Sequence, residues 1–151
     1  KKHPGPHYDI PGIRFTTKRG MDWDMTKEEF IYLKNTLHHA SLVVSYASSI
    51  AVDAAILDKP IIAVGFEVRS DQTLFQTPTL RYGTTHYKRV LVTGAIKLAR
   101  SKTELAEWIR KYLEDPSIDR EGRQRLVREH CWKMDGMAGE RIAEIILSHI
   151  K

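Results

Sequence analysis

The chain carries two kinds of apolar pattern, and each predicts a different kind of element. Helical spacing comes first. Phe30, Leu33 and Leu37 recur at intervals of three and four, which predicts a helix running to about Ala40. Thr26-Lys27-Glu28-Glu29 reads as a capping box at its start. A second box, Ser101-Lys102-Thr103-Glu104, opens a helix with the stripe Leu105, Trp108, Ile109, Tyr112 and Leu113, and Asp115-Pro116 stops it. Arg120–Trp132 predicts a more charged helix. A last one begins near Asp135-Gly136 and carries Ile142, Ile145, Ile146 and Ile150.

The other pattern is the short continuous apolar run. Leu42–Val44, Pro60–Val64 and Ala95–Ala99 have the composition of strands buried on both faces of a parallel sheet. Between the first two lies an Ala-rich helix, Ile50 to Leu57, ended by Asp58-Lys59-Pro60. Strand, turn, helix, turn and strand make a βαβ unit with a right-handed crossover. Ile13-Arg14-Phe15 predicts a short strand, and the Pro- and Gly-rich stretch from His3 to Gly12 a loop. Residues 65–86 show no convincing periodicity and read as a long loop. Tyr87 to Thr93 fits either a strand, through Val90, Leu91 and Val92, or a short helix. These elements predict an α/β fold: a three-layer α/β/α sandwich on a mainly parallel sheet of four or five strands. No internal repeat or shift in composition divides residues 1–151, so one domain is expected.

Composition narrows the function classes. In 151 residues no apolar run approaches the roughly 20 that a membrane helix needs. The single cysteine, Cys131, excludes an internal disulfide and a Cys-based zinc cluster, and it fits a reducing, cytoplasmic setting. The net charge of +5 favours an anionic partner such as a nucleotide, a phosphate-rich polymer or a lipid surface. The basic residues lie mainly in Lys97–Lys111 and Arg120–Lys133, interleaved with acids. That is the pattern of a solvated helix surface, and without interleaved aromatics it gives no nucleic-acid platform. No metal-ligand cluster is visible and no cofactor is called for. No signal peptide is visible, and the chain begins abruptly without an initiator methionine, so a fragment or a trimmed chain is expected.

The chemistry concentrates where Val44-Ser45-Tyr46-Ala47-Ser48-Ser49-Ile50 joins a strand to a helix. Unpaired amides and the helix dipole favour a phosphate at such a place. In open α/β sheets, ligands sit at the carboxyl ends of the strands, where this turn lies. Ser48 and Ser49 are candidate phosphate donors, and Ser45 and Tyr46 candidate contacts beside them. The alternative is that Ser48 only caps the helix. Asp53, one turn further on among Ala51, Val52, Ala54 and Ala55, is a candidate for holding ribose hydroxyls. Its alternative is a favourable interaction with the helix dipole, worth about 0.3–1 kcal/mol.

Residues 36–64 resemble the donor-binding domain of GT-B-fold transferases, and most closely the CDP-glycerol glycerophosphotransferase family. The likeness rests on Ala40 to Ser49, Asp53-Ala54 and Asp58-Lys59-Pro60-Ile61-Ile62. The ending Asp135-Gly136-Met137-Ala138-Gly139-Glu140-Arg141-Ile142 is similar to an Asp-Gly-Lys-Ala-Ser-Glu-Arg-Ile tail of that family. The tail also occurs in UDP-N-acetylglucosamine 2-epimerases. The resemblance implies a Rossmann-like half of a GT-B fold that binds a nucleotide-activated donor for cell-surface polymer synthesis. Ser48 and Ser49 would hold the donor's phosphates and Asp53 its ribose. His3 would be the catalytic histidine facing the donor phosphate, or else part of a chain terminus. His86 would face the cleft, or else the surface. A separate amino-terminal acceptor domain is implied as partner, and the fragment alone would be inactive. A peripheral position on an anionic membrane is a further implication.

The alternatives are a non-catalytic nucleotide- or anionic-surface-binding module and an epimerase-like isomerase. The epimerases carry a Ser-Gly-Gly turn and a Glu-Glu pair. Here Ala47-Ser48-Ser49 and Val52-Asp53 stand in their places, which argues against epimerase chemistry.

Overall fold

The computed structural model describes residues 5–7, 13–14, 23–68 and 77–150. The chain divides into two compact units, residues 1–40 and 41–151. In the first, β1 (Ile13–Arg14) pairs antiparallel with β2 (Trp23–Asp24), Ile13 opposite Asp24. The pairing strand β2 carries no apolar run that would mark it in the sequence. Helix α1 (Lys27–His39) follows the expected capping box. Thr26 Oγ1 accepts from the Glu29 amide at 3.2 Å, and Glu29 Oε2 accepts from the Thr26 amide at 2.7 Å.

The second unit is mixed α/β, compatible with a Rossmann-like arrangement. Its elements are β3 (Val43–Ser45), α2 (Ile50–Ile56), β4 (Ile61–Val64), α3 (Pro78–Gly83), α4 (Thr85–Val92), β5 (Ile96–Ala99), α5 (Lys102–Glu114), α6 (Arg120–His130) and α7 (Ala138–His149). The strands form an open parallel sheet in the order β3-β4-β5. Val43 aligns with Ile61 and Ile61 with Ile96.

Among the described residues this sheet has three strands, where four or five were expected. Val90-Leu91-Val92, the ambiguous segment, forms the last turn of α4. Tyr87 and Val90, three residues apart, both face the core, and the Thr84 hydroxyl caps the helix at the Tyr87 amide. Strand propensity loses there to burial at helical spacing. Helix α3 lies within the stretch read as a loop, and residues 69–76 of that stretch fall outside the described ones. Strand β3 is also less buried than its apolar run suggested. It lies at the edge of the sheet, and Val44 is 42% exposed.

The central strand packs both ways. Ile61 and Ala63 meet Ala51, Ala54 and Ala55 of α2, with Tyr82, Tyr87, Val90 and Leu126. Ile62 joins Ala99 and Tyr112 in a second cluster, against which Leu105, Trp108 and Ile109 of α5 pack. Ile61 and Ile62 are fully buried, and each contributes about 1.5–3 kcal/mol of hydrophobic stabilisation. The alanines keep α2 thin. Gly122 does the same for α6, since a Cβ there would lie 2.4 Å from the carbonyl carbon and oxygen of Gly94.

One basic residue of the predicted solvated surface is in fact interior. Arg123 is 0% exposed. Its Nε donates to Asp58 Oδ1 at 2.8 Å, Nη1 to the Ile118 carbonyl at 2.7 Å and Nη2 to the Pro116 carbonyl at 2.8 Å. Asp58, in the left-handed region at φ 52°, also accepts from Arg120 Nε at 2.8 Å. The guanidinium thus ties the turn before β4 to the connection between α5 and α6. Its planar fork fits three acceptors at once, and this offsets the cost of burying its charge.

The second capping box is shifted from its expected form. Ser101 Oγ accepts from the Glu104 amide at 3.1 Å, but Glu104 reaches back to the Arg100 amide at 2.8 Å. At the other end of the unit, α7 has no buried residue, and Ile142, Ile145, Ile146 and Leu147 stand exposed. Among the described residues no helix is long and apolar enough to cross a membrane.

Candidate functional site

The turn between β3 and α2 lies at the carboxyl edge of the parallel sheet, and both Ser48 and Ser49 fall within it. Its amides are arranged differently from expectation. Ser48 Oγ accepts from the Ile50 amide at 3.3 Å, the Ser48 carbonyl from Ala51 at 3.3 Å and the Ser49 carbonyl from Val52 at 2.8 Å. A tight turn satisfies the start of α2 from within, so these three amides do not point outward as a free cradle. Ser48 therefore acts as a local cap. Ser49, at the N-cap position in helical conformation, makes no side-chain capping bond, and its side chain is exposed.

Two tyrosines that sequence reasoning missed complete the turn. Tyr82 of α3 and Tyr87 of α4 are buried, with ring centroids 5.2 Å apart in an edge-on pair. The Tyr82 hydroxyl donates to the Val64 carbonyl at the end of β4, 2.9 Å away, and lies against the Ala47 amide. The Tyr87 hydroxyl lies against the Ser48 amide but makes no well-formed hydrogen bond. Burial raises both phenols above their ordinary range, and for Tyr82 the neighbouring Tyr87 and Tyr46 add to the effect. The region 65–86 offered no helical frame in which to place Tyr82. Tyr87 stood in an ambiguous segment.

Ser45 ends β3 with its Oγ buried and without a hydrogen-bond partner among the described residues. Tyr46 turns its hydroxyl to the Phe66 carbonyl at 3.3 Å, so it braces the loop after β4. The carboxyl edge thus holds two buried hydroxyls, Ser45 and Tyr87, whose O–H groups find no acceptor among the described residues. Such groups are uncommon in folded proteins and call for an explanation at each occurrence.

Asp53 sits in the first turn of α2 and is exposed, although its helix is otherwise apolar. Partial desolvation nevertheless raises its carboxyl above the usual range. Cys131, after the end of α6, is close enough to feel it: desolvation first and the Asp53 charge second push the thiol up. Asp53 therefore faces the carboxyl end of α6 as well as solvent.

His86 does not join the serine turn. Tyr87 points inward from α4, and His86 before it lines a groove with Thr85, Lys88 and Arg89 of the same helix and Glu129 and His130 of α6. His3 lies outside the described residues. The structure therefore brings Ser45, Ser48 and Ser49 together at one edge, sets Asp53 one helical turn away and places His86 on a neighbouring surface. No protein-family model, curated protein or solved structure matches this chain.

Proposed function

We propose that the chain supplies the donor-binding half of a transferase that uses a nucleotide-activated donor, a glycosyl or glycerophosphoryl group being transferred. In this reading the second unit is a Rossmann-like, three-layer half of a GT-B fold, and the acceptor is held by a separate domain. The observation that carries the reading is the serine turn at the carboxyl edge of the parallel sheet, with the Ser45 and Tyr87 hydroxyls buried there without acceptors among the described residues. A diphosphate supplies acceptor oxygens to groups of this kind. Recognition is by hydroxyls more than by free amides, because the first amides of α2 are taken up within the turn. Access to the buried pair requires the Tyr82–Tyr87 hairpin to shift. Ser49, already open, makes the first contact, and Asp53 accepts from the ribose hydroxyls. Neutralising the leaving diphosphate is the catalytic contribution of such a half.

Calorimetry with CDP, UDP and CDP-glycerol tests it. Binding in the micromolar to millimolar range, about −8 to −4 kcal/mol, is expected. Asp53→Asn should weaken it about tenfold or more, as a hydrogen bond to a charged group is worth about 1.5–3 kcal/mol. Ser49→Ala should weaken it without lowering the unfolding midpoint. Silence with all three ligands at millimolar concentration would overturn the nucleotide reading. Unchanged affinity of Asp53→Asn with a lower midpoint would return Asp53 to a helix-dipole role.

A further inference from the structure

The groove between α4 and the end of α6 is independent of the serine turn. We propose that it binds a small phosphate-bearing anion of the pyrophosphate or triphosphate class. Its volume is about 600 Å³, within the range of small-molecule sites. Its wall on α4 carries Thr85, His86, Lys88 and Arg89, and its wall on α6 carries Glu129 and His130.

Charge decides the ligand class. Glu129 is the single acid of the lining among the described residues, and it is engaged by Arg125, whose Nε donates to its carboxylate at 2.6 Å. That bond and the charges of Arg125, His130 and Arg128 hold the Glu129 carboxyl below its usual range against a smaller opposing effect of desolvation. Lys88 and Arg89 make no ion pair among the described residues. Two cations without counter-ions among the described residues, two imidazoles and a hydroxyl thus converge on one concavity. An Arg fork beside a Lys point charge suits a phosphate with several oxygens.

The lining also excludes other classes. Among the described residues no aromatic ring apart from the two histidines lines the groove, so a nucleobase would lack the stacking surface that nucleic-acid sites use. Val92 is its one apolar side chain among the described residues, too little for an acyl chain. The shared chemistry is therefore the phosphate group, carried by a free oligophosphate or by a lipid headgroup.

The experiment follows the His86 and His130 ring resonances by NMR as sodium pyrophosphate is added at constant ionic strength. Both should shift and saturate, and Arg89→Gln should weaken the response at least tenfold, with Lys88→Gln having a smaller effect. These side chains are exposed, so the variants should keep the wild-type circular dichroism spectrum. Ser49→Ala should leave the response intact, which separates this groove from the nucleotide site. Vesicles of phosphatidylglycerol give the second arm. Binding that pyrophosphate displaces and Arg89→Gln abolishes assigns the headgroup, whereas pyrophosphate binding without vesicle binding assigns a free oligophosphate. Rings that do not respond to pyrophosphate, a shift reproduced by chloride, or full affinity in Arg89→Gln would each overturn the proposal.

Discussion

At the amino edge of the parallel sheet, Arg123 is fully buried and its guanidinium meets three acceptors, on Asp58, Pro116 and Ile118. Beside it Asp119 accepts from the Tyr112 hydroxyl at 2.7 Å and from Lys97 Nζ at 3.1 Å. At the carboxyl edge, the buried hydroxyls of Ser45 and Tyr87 have no acceptor among the described residues. The first edge has closed its polar groups on one another, as a stabilising network must. The second leaves donors unspent among the described residues, which costs stability. The contrast teaches that burial of a polar group does not by itself mark a site. What separates scaffold from candidate site here is whether the protein supplies the partner.

The sharpest break of this contrast is Arg123→Met. Losing a buried guanidinium orphans two carbonyls and releases Asp58, so a destabilisation of about 3–5 kcal/mol is expected in urea unfolding. A loss below about 1 kcal/mol would mean that the bracket is ornamental. Gly122→Ala comes next. The added methyl meets the Gly94 backbone, which has no flexible end to yield, and overpacking of about 1–3 kcal/mol should lower the midpoint.

A matched pair of tyrosine substitutions compares the two edges directly. Tyr112→Phe removes a hydroxyl bonded to a carboxylate and should cost about 1.5–3 kcal/mol, less whatever Lys97 recovers for Asp119. Tyr87→Phe removes a hydroxyl that has no acceptor and no well-formed hydrogen bond among the described residues, and should stay within about 0.5 kcal/mol of the parent, on either side. Equal losses in the two variants would erase the distinction between the edges.

The smallest effect is on acid stability. Burial alone would raise the Asp58 carboxyl, but the hydrogen bonds and charges of Arg123 and Arg120 outweigh it and hold it below the usual value. A depressed folded-state value makes the stabilisation complete above the unfolded carboxyl value of about 4, and it fades as pH falls through the folded one. Asp58→Asn should therefore flatten the stability curve below about pH 4. The Asp58 side chain is 44% exposed, so solvent screening keeps this change modest. An unaltered acid limb would show that the Arg123–Asp58 bond contributes geometry and little charge energy.

Much of this architecture was legible before any coordinates. The three apolar runs became β3, β4 and β5, and the capping residues Thr26 and Ser101 opened α1 and α5. These are local signals: a run of Ile and Val has few alternatives to a buried strand, and a cap needs only its own first turn. The serine turn was legible for the same reason, since small polar residues between a strand and a helix fix where the chain must bend.

What the sequence left open depended on partners far along the chain. The Val90–Val92 segment fits two periods, and only packing of Tyr87 and Val90 against the sheet chose the helix. Arg123 looked like its exposed neighbours Arg120 and Arg125, because burial of an arginine requires acceptors 65, 7 and 5 residues away to meet at one point. The serine turn could be located from sequence, but not the two tyrosines that reach it from α3 and α4, nor the groove where His86 faces His130. The sequence by itself determined the elements with strong local signals, β3, β4, β5, α1 and α5 among them, and the place of the turn, since those follow from neighbouring residues. The tertiary structure alone decided which polar groups are satisfied, because each hydrogen bond needs a second group that only folding brings within 3 Å.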